Sequence, residues 1–186
     1  LILPGDRAMR IDSAQHDRVF RQDVGRFSDV TAASGVKGPY FTLSVTAWDY
    51  DADQRPDWYV ANDFSGPDRL LRNRGDGTFD DRLLQSVPHT PWFSMGSDTG
   101  DLNNDGLPDI YISSMNGPNL LYIHQGVGKG SIPTFQEVAS IAGVLQPVSS
   151  FPNSIFDFNN DGWNDILVSS YQSNLNDGHG DVKIDY

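Results

Sequence analysis

The sequence predicts an all-β chain: a β-propeller of four-stranded blades, present as an incomplete ring of about three blades. Three observations carry that prediction. A carboxylate-rich loop recurs at residues 49–57, 101–109 and 157–165, so successive copies begin 52 (49 to 101) and 56 (101 to 157) residues apart. Phe27, Phe79 and Phe135 keep the same two steps. Between the loops the apolar residues fall in short β-branched and aromatic runs, Trp58-Tyr59-Val60, Ile110-Tyr111-Ile112 and Ile166-Leu167-Val168, with no long stripe of helical period. A fixed period of this size marks a repeat array whose units bury their faces only against their neighbours.

Within one unit, Thr42 to Trp48 reads as the strand entering the first loop and Trp58 to Asn62 as the strand leaving it. Arg69 to Asn73 and Thr78 to Arg82 flank Arg74-Gly75-Asp76-Gly77, a turn whose glycines supply positive φ. The unit is therefore a meander, and the chain is expected to be almost free of helix. The repeat also extends beyond the loops, because Phe27-Ser28-Asp29-Val30-Thr31 with Gly35-Val36 answers Phe135-Gln136-Glu137-Val138-Ala139 with Gly143-Val144.

The units follow in order. Residues 1–36 read as the end of a preceding blade, since His16-Asp17-Arg18-Val19-Phe20-Arg21 matches Pro67-Asp68-Arg69-Leu70-Leu71-Arg72 and no loop comes before it. Residues 37–88 and 89–144 read as complete blades with loops 1 and 2, and residues 145–186 as a partial blade with loop 3. Closed propellers have about four to eight blades, so the ring is expected to be completed by more of the same polypeptide or by a neighbouring subunit. The absence of Met at Leu1 agrees with a longer parent chain.

Each loop places side-chain oxygens at its first, third, fifth and ninth positions. These are Asp49, Asp51, Asp53 and Asp57 in loop 1, Asp101, Asn103, Asp105 and Asp109 in loop 2, and Asp157, Asn159, Asp161 and Asp165 in loop 3. Arg55, Leu107 and Trp163 occupy the seventh position, where a backbone carbonyl would face inward. An all-oxygen set of this kind suits calcium, which takes about six to eight oxygen ligands, and three calcium sites are expected. Asp, Asn and Gly also make ordinary turns, but three copies in register argue for a shared ligand. An EF-hand does not fit, because Val60, Ile112 and Val168 stand where its bidentate Glu belongs. The metal is expected to be structural, pinning a hairpin end where clustered carboxylates repel. Loop 1 departs from the others at Gln54, which replaces Gly106 and Gly162 and would be strained in a left-handed conformation.

Charge follows the loops. Thirteen Lys and Arg stand against 25 Asp and Glu, for a net charge of −12. Ten of the acids lie in the three loops, and three divalent ions, adding +6, would bring −12 to −6. No basic stripe is available to displace phosphate counterions, which excludes nucleic acid as a partner. The chain has no cysteine, hence neither disulfide nor thiolate chemistry. His16, His89, His124 and His179 are scattered singly and form no metal pair or catalytic triad. No apolar segment is long enough to span a membrane. Open calcium loops suit the high calcium outside the cytoplasm, so the expected location is secreted, periplasmic or cell-surface.

The units resemble FG-GAP (also called VCBS) repeats. Val60-Ala61-Asn62-Asp63, Asp68-Arg69-Leu70-Leu71-Arg72-Asn73 and Gly75-Asp76-Gly77-Thr78-Phe79 are similar to the cartilage acidic protein and UnbV branch of that group, over roughly residues 17–172. The resemblance implies a calcium-binding propeller of a secreted, periplasmic or cell-surface protein, with integrin α heads as distant relatives. Two functions are compatible with it. The favoured one is a module that binds a protein or glycan partner; the alternative is part of a propeller-scaffold enzyme such as a carbohydrate lyase or dehydratase, for which the sequence offers no catalytic constellation. Arg74-Gly75-Asp76 spells an adhesion tripeptide, yet Asp23-Val24-Gly25-Arg26 and Gly126-Val127-Gly128-Lys129-Gly130 occupy the same place in other units, so turn chemistry accounts for it. Trp48, Trp58, Trp92 and Trp163 are candidates for stacking on sugar rings or for filling the space between blades.

Overall fold

A computed structural model describes residues 16–170 apart from Lys37, Pro39 and Ser65; His179 lies outside the described residues. The chain opens with a hairpin of β1 (Phe20–Asp23) and β2 (Arg26–Asp29). One four-stranded sheet follows, of β3 (Phe41–Trp48), β4 (Asp57–Asp63), β5 (Arg69–Asn73) and β6 (Phe79–Asp81). A second comprises β7 (Ser94–Gly100), β8 (Asp109–Ser114), β9 (Leu120–Gly128) and β10 (Ile132–Glu137). A hairpin of β11 (Ser150–Phe156) and β12 (Asp165–Ser170) ends the described chain. Every pairing joins consecutive strands in antiparallel fashion. Among the described residues the fold is nearly all-β, an incomplete propeller with no closed ring.

As expected, the chain is almost free of helix; the helix among the described residues is three single turns, α1 (Thr31–Ser34), α2 (Leu83–Ser86) and α3 (Ala139–Ala142). They occupy one position of the repeat and share one cause. A carboxylate at the end of the preceding strand accepts the backbone N–H two residues on, Thr31 N to Asp29 Oδ1 (3.0 Å), Leu83 N to Asp81 Oδ1 (3.1 Å) and Ala139 N to Glu137 Oε1 (2.7 Å). That bond satisfies an N-terminal donor that a single turn cannot pair internally. Gly35 (φ 76°) and Gly143 (φ 77°) then stop α1 and α3 in the left-handed conformation that glycine adopts without a Cβ clash. The same Asp81 bond ends β6 at Asp81, short of the expected Arg82.

Alternation along the strands sends each face of a sheet into a different core. Tyr59, Ala61 and Leu70 of the first sheet meet Ile110, Ile112, Leu120 and Tyr122 of the second, with Trp48, Tyr50, Leu83 and Phe135 completing this cluster. The opposite face of the first sheet buries Val60 and Leu71 with Val36, against Val19, Trp58 and Phe79. The opposite face of the second buries Tyr111 and Leu121 with Ala139, against Ile155, Ile166 and Val168. Truncating a side chain such as Leu70, which is fully buried, belongs to the class of change that costs about 2–5 kcal/mol.

Between sheets, one polar contact recurs. Thr42, Ser94 and Ser150 begin successive first strands, and each hydroxyl donates to a side chain of the preceding unit: to Asp17 Oδ2 (2.9 Å), Asp68 Oδ2 (2.7 Å) and Asn119 Oδ1 (2.5 Å). Immediately after each hydroxyl the strand pairing slips, between Thr42 and Ser44, Ser94 and Gly96, and Ser150 and Asn153. The first strands meet one another beyond this point. Thr46 Oγ1 donates to Ser97 O (2.7 Å) and Ile155 N to Asp98 Oδ2 (2.8 Å). Gly100 allows the approach, since a Cβ there would lie 2.5 Å from Ile155 Cγ2.

Asp68 is buried without a cation and accepts from Tyr59 Oη (2.6 Å), Asn62 N (2.8 Å) and Ser94 Oγ. Burial outweighs these bonds and pushes its carboxyl from the usual 3.8 up to about 6. The folded state thus holds this proton to higher pH than the unfolded state. The stability so contributed is complete below pH 3.8 and lost as the pH rises through about 6. Asp68→Asn, which mimics Asn119, is expected to remove this part of the pH dependence. The check is thermal melting of both proteins in chelator between about pH 3 and 7, roughly one unit beyond the window at each end: the parent's melting temperature should fall more steeply than the variant's.

Candidate metal centre

The three carboxylate loops join β3 to β4, β7 to β8 and β11 to β12, and each takes positive φ at its fourth and sixth residues, Ala52 and Gln54, Asn104 and Gly106, Asn160 and Gly162. The first aspartate organises each loop by accepting two successive N–H groups across the turn. Asp49 takes Asp53 N (3.0 Å) and Gln54 N (2.7 Å), Asp101 takes Asp105 N (3.1 Å) and Gly106 N (2.8 Å), and Asp157 takes Asp161 N (3.1 Å) and Gly162 N (2.8 Å). Bonds of this kind hold the Asp157 carboxyl below its ordinary range, with the Gly162 N–H as the main cause. The fifth-position aspartates, Asp53, Asp105 and Asp161, accept the N–H of Arg55, Leu107 and Trp163 at 3.0, 2.9 and 2.9 Å.

The ninth-position aspartates close the loops. Asp57 accepts Tyr50 N (3.3 Å) and Asn73 N (2.7 Å), and Asp109 accepts Leu102 N (2.9 Å) and His124 N (2.9 Å), so each ties its loop to the third strand of its sheet. Asp165 accepts Phe158 N at 3.2 Å. Asp57 and Asp109 are fully buried. Burial, with Asp51 and Asp53 nearby, pushes the Asp57 carboxyl up to about 6, and burial with Asp105 and Asp101 nearby raises Asp109. A divalent cation beside these groups would reverse both shifts by favouring the anions.

Asp49, Asp51 and Asp57 each bring a carboxylate oxygen within 4.8 Å of the others, a cluster able to hold a metal ion. The Asp51 side chain is only 2 % exposed, and its Oδ1 is buried with no hydrogen-bond partner among the described residues. A buried acceptor left unpaired is costly, and a hard cation would satisfy it. Calcium therefore fits loop 1 by donor chemistry and by this open acceptor. Loops 2 and 3 present the same spacing with Asn103 and Asn159 in place of Asp51; their amides donate to Asp105 Oδ2 (2.8 Å) and Asp161 Oδ2 (2.9 Å). The two loops also touch, Asn164 Nδ2 donating to Asp101 O (2.9 Å) and Asn104 Nδ2 to Gly162 O (3.3 Å).

Two features near loop 1 escape a reading of the loop alone. Arg72, on β5, donates to Asp51 Oδ2 (2.9 Å) and Asp53 Oδ2 (3.0 Å), and Arg55 also pairs with Asp53. Burial alone would raise Asp51, but the Arg72 hydrogen bond and charge offset this and leave its carboxyl below the usual range. The only signal in the sequence is that Arg72 sits where the second sheet has Ile123, a comparison that requires the strand register, Trp58 opposite Leu71 and Ile110 opposite Tyr122.

The other candidates separate. Trp48 is buried beside Tyr50, and Trp58 stacks on Phe79 with centroids 4.3 Å apart, so both fill the space between sheets; Trp92 and Trp163 are exposed. The Arg74-Gly75-Asp76 segment is an exposed turn closed by Arg74 N to Thr78 O (3.0 Å), with the Asp76 carboxylate engaged by Thr78 N (3.0 Å) and Thr78 Oγ1 (2.6 Å). His124 is buried and stacked on Phe135, and burial lowers its pKa.

Gln54 adopts φ 66°, where Gly106 and Gly162 adopt 86° and 89°. A Cβ on either glycine would meet no atom within 4 Å, so the difference between the loops is backbone strain. Gln54→Gly is expected to stabilise the chain by about 1 kcal/mol and Gly106→Gln to destabilise it by a similar amount. Urea denaturation of the two variants checks the sign of each.

An FG-GAP-like repeat family model matches residues 49–112 and 101–168. Cartilage acidic protein 1 of Homo sapiens is 30% identical over 173 residues, which cover 84% of this chain and 25% of that protein. Its counterpart in Mus musculus is 28% identical over the same share of both. The chain thus spans about a quarter of the length of these curated relatives. The two matches overlap, each runs from one carboxylate loop through the next, and together they cover residues 49–168, more than half of the 186-residue chain; the chain belongs to the FG-GAP-like repeat family.

Proposed function

We propose that the chain is a calcium-stabilised segment of an extracellular propeller and serves as a binding and assembly module. The observation that carries this reading is the buried, unpartnered Asp51 oxygen within a preorganised carboxylate cluster, in a loop whose backbone recurs twice more. Calcium would be held by Asp49, Asp51, Asp53, Asp57 and the Arg55 carbonyl, and by the corresponding residues of loops 2 and 3. When bound it supplies charge neutralisation and crosslinks the two strands that each loop joins. Its role is structural in this reading. The extracellular location follows from the calcium levels that such open loops require.

Assembly is supported by the two outer hairpins. Leu167 is 60% exposed, whereas Tyr59 and Tyr111, at the same repeat position, are fully buried; Phe20 and Phe27 on β1 and β2 are 57% and 69% exposed. Faces of this kind are covered by the next sheet in a ring, so the first partner is the remainder of the propeller or a neighbouring subunit. A protein or glycan ligand would then be read by loops at the ends of the sheets. Among the described residues no helix is long and apolar enough to cross a membrane.

Metal analysis of the full-length protein after dialysis against calcium tests the reading, with three bound ions expected in this segment; none would overturn it. At 100 times its dissociation constant, each independent site should add roughly 2.7 kcal/mol to stability, so chelation should lower the melting temperature. Residues 1–186 expressed alone should self-associate through the open sheet faces. A monodisperse, cooperatively melting monomer in light scattering would contradict the assembly part.

A further inference from the structure

Loop 1 carries one more aspartate than loops 2 and 3, Asp51 in place of Asn103 and Asn159, and by charge alone it should attract calcium most strongly. The fold reverses this. Arg72 reaches across from β5 to Asp51 and Asp53, and Arg55 pairs with Asp53 from within the loop. Four aspartates and two arginines give loop 1 a formal charge of −2, against −3 for the three aspartates of loop 2. Loop 2 has Ile123 and Leu107 at the two arginine positions.

The engagement is also different in kind. Asp105 and Asp161 receive neutral amides, whose own oxygens accept Asp105 N (3.0 Å) and Asp161 N (3.1 Å); a guanidinium has donors only and repels a dication. Both oxygens of the fifth aspartate are occupied in all three loops, but Asp53 Oδ2 is held by two guanidinium groups where Asp105 Oδ2 and Asp161 Oδ2 each receive an amide. Arg72 is itself well placed to remain, its side chain being only 18% exposed.

We propose that Arg72 is a built-in counter-cation of loop 1: it holds Asp51 and Asp53 together without metal and makes this loop the last of the three to fill with calcium. The inference rests on the calcium reading above. Blade 1 would then keep its shape when calcium is low, while loops 2 and 3 depend on the ion.

The test is calorimetric calcium titration of the full-length protein, with Asp51→Asn identifying the binding step that belongs to loop 1. That step should be the weakest. Arg72→Met should tighten it by about tenfold or more, because a positive charge is removed from beside the ion, and Arg72→Gln should act in the same direction. Arg72→Lys, which keeps the charge, should change it by less than about threefold. In chelator, Arg72→Met should melt at a lower temperature than the parent, and saturating calcium should abolish that gap. A loop 1 step that is the tightest, or that Arg72→Met and Arg72→Gln leave unchanged or weaken, overturns the inference while loops 2 and 3 still bind. Absence of calcium at all three loops overturns the calcium reading and this inference with it.

Discussion

Each interior sheet is apolar on both faces, and only another sheet covers it. No layer of long helices accompanies the strands among the described residues, so Tyr59, Val60, Tyr111 and Ile112 find their cores between neighbouring sheets. That constraint orders the whole molecule. It stacks the units along the chain, brings the first strands together at Thr46, Ser97 and Asp98, and leaves the outer hairpins with apolar residues in the open. The hydroxyls of Thr42, Ser94 and Ser150 then set how far one sheet slides on the next, because each must reach an oxygen of the preceding unit. Apolar packing is tolerant of small slides; a hydrogen bond to a buried acceptor is not.

Rigid sheets make it possible to concentrate charge in their loops. Successive N–H groups aimed at the first aspartate act as a fixed positive potential, and in loops 1 and 2 the buried ninth aspartate anchors the loop to the third strand of its sheet. These bonds do not cancel the cost of the remaining carboxylates: burial raises the Asp57 carboxyl, and the charges of Asp51 and Asp53 add to the rise. Loops 2 and 3 offset it with neutral asparagines, while loop 1 uses arginines from two directions. Three loops of one backbone form therefore differ in their electrostatics, a distinction that a shared ligand spacing conceals.

The chain belongs to the FG-GAP-like repeat family and spans about a quarter of the length of the curated relatives it matches. Repeat modules of this type divide their tasks by position. Cores between sheets maintain the array, loops at one end of the strand pairs are candidates for calcium, and exposed side chains such as Trp92 lie outside both roles. The tripeptide Arg74-Gly75-Asp76 belongs to turn chemistry in this division, since Thr78 already engages the aspartate.

Much of this was legible in the amino-acid sequence because the informative features are local and repeated. Period, aspartate spacing and β-branched runs specify strands, loops and their order without reference to distant residues, and the left-handed Gln54 could be anticipated from the glycines at its two counterparts. The single-turn helices were less legible: their signal is one carboxylate two residues ahead of the turn, too short to produce a helical period. What only the tertiary structure decided are contacts across units and strands. Asp68 meets Ser94 at a separation of 26 residues, and Arg72 meets Asp51 at 21. Neither pairing has a local pattern, because the register of a sheet and the slide between sheets determine which side chains converge, and both are products of packing.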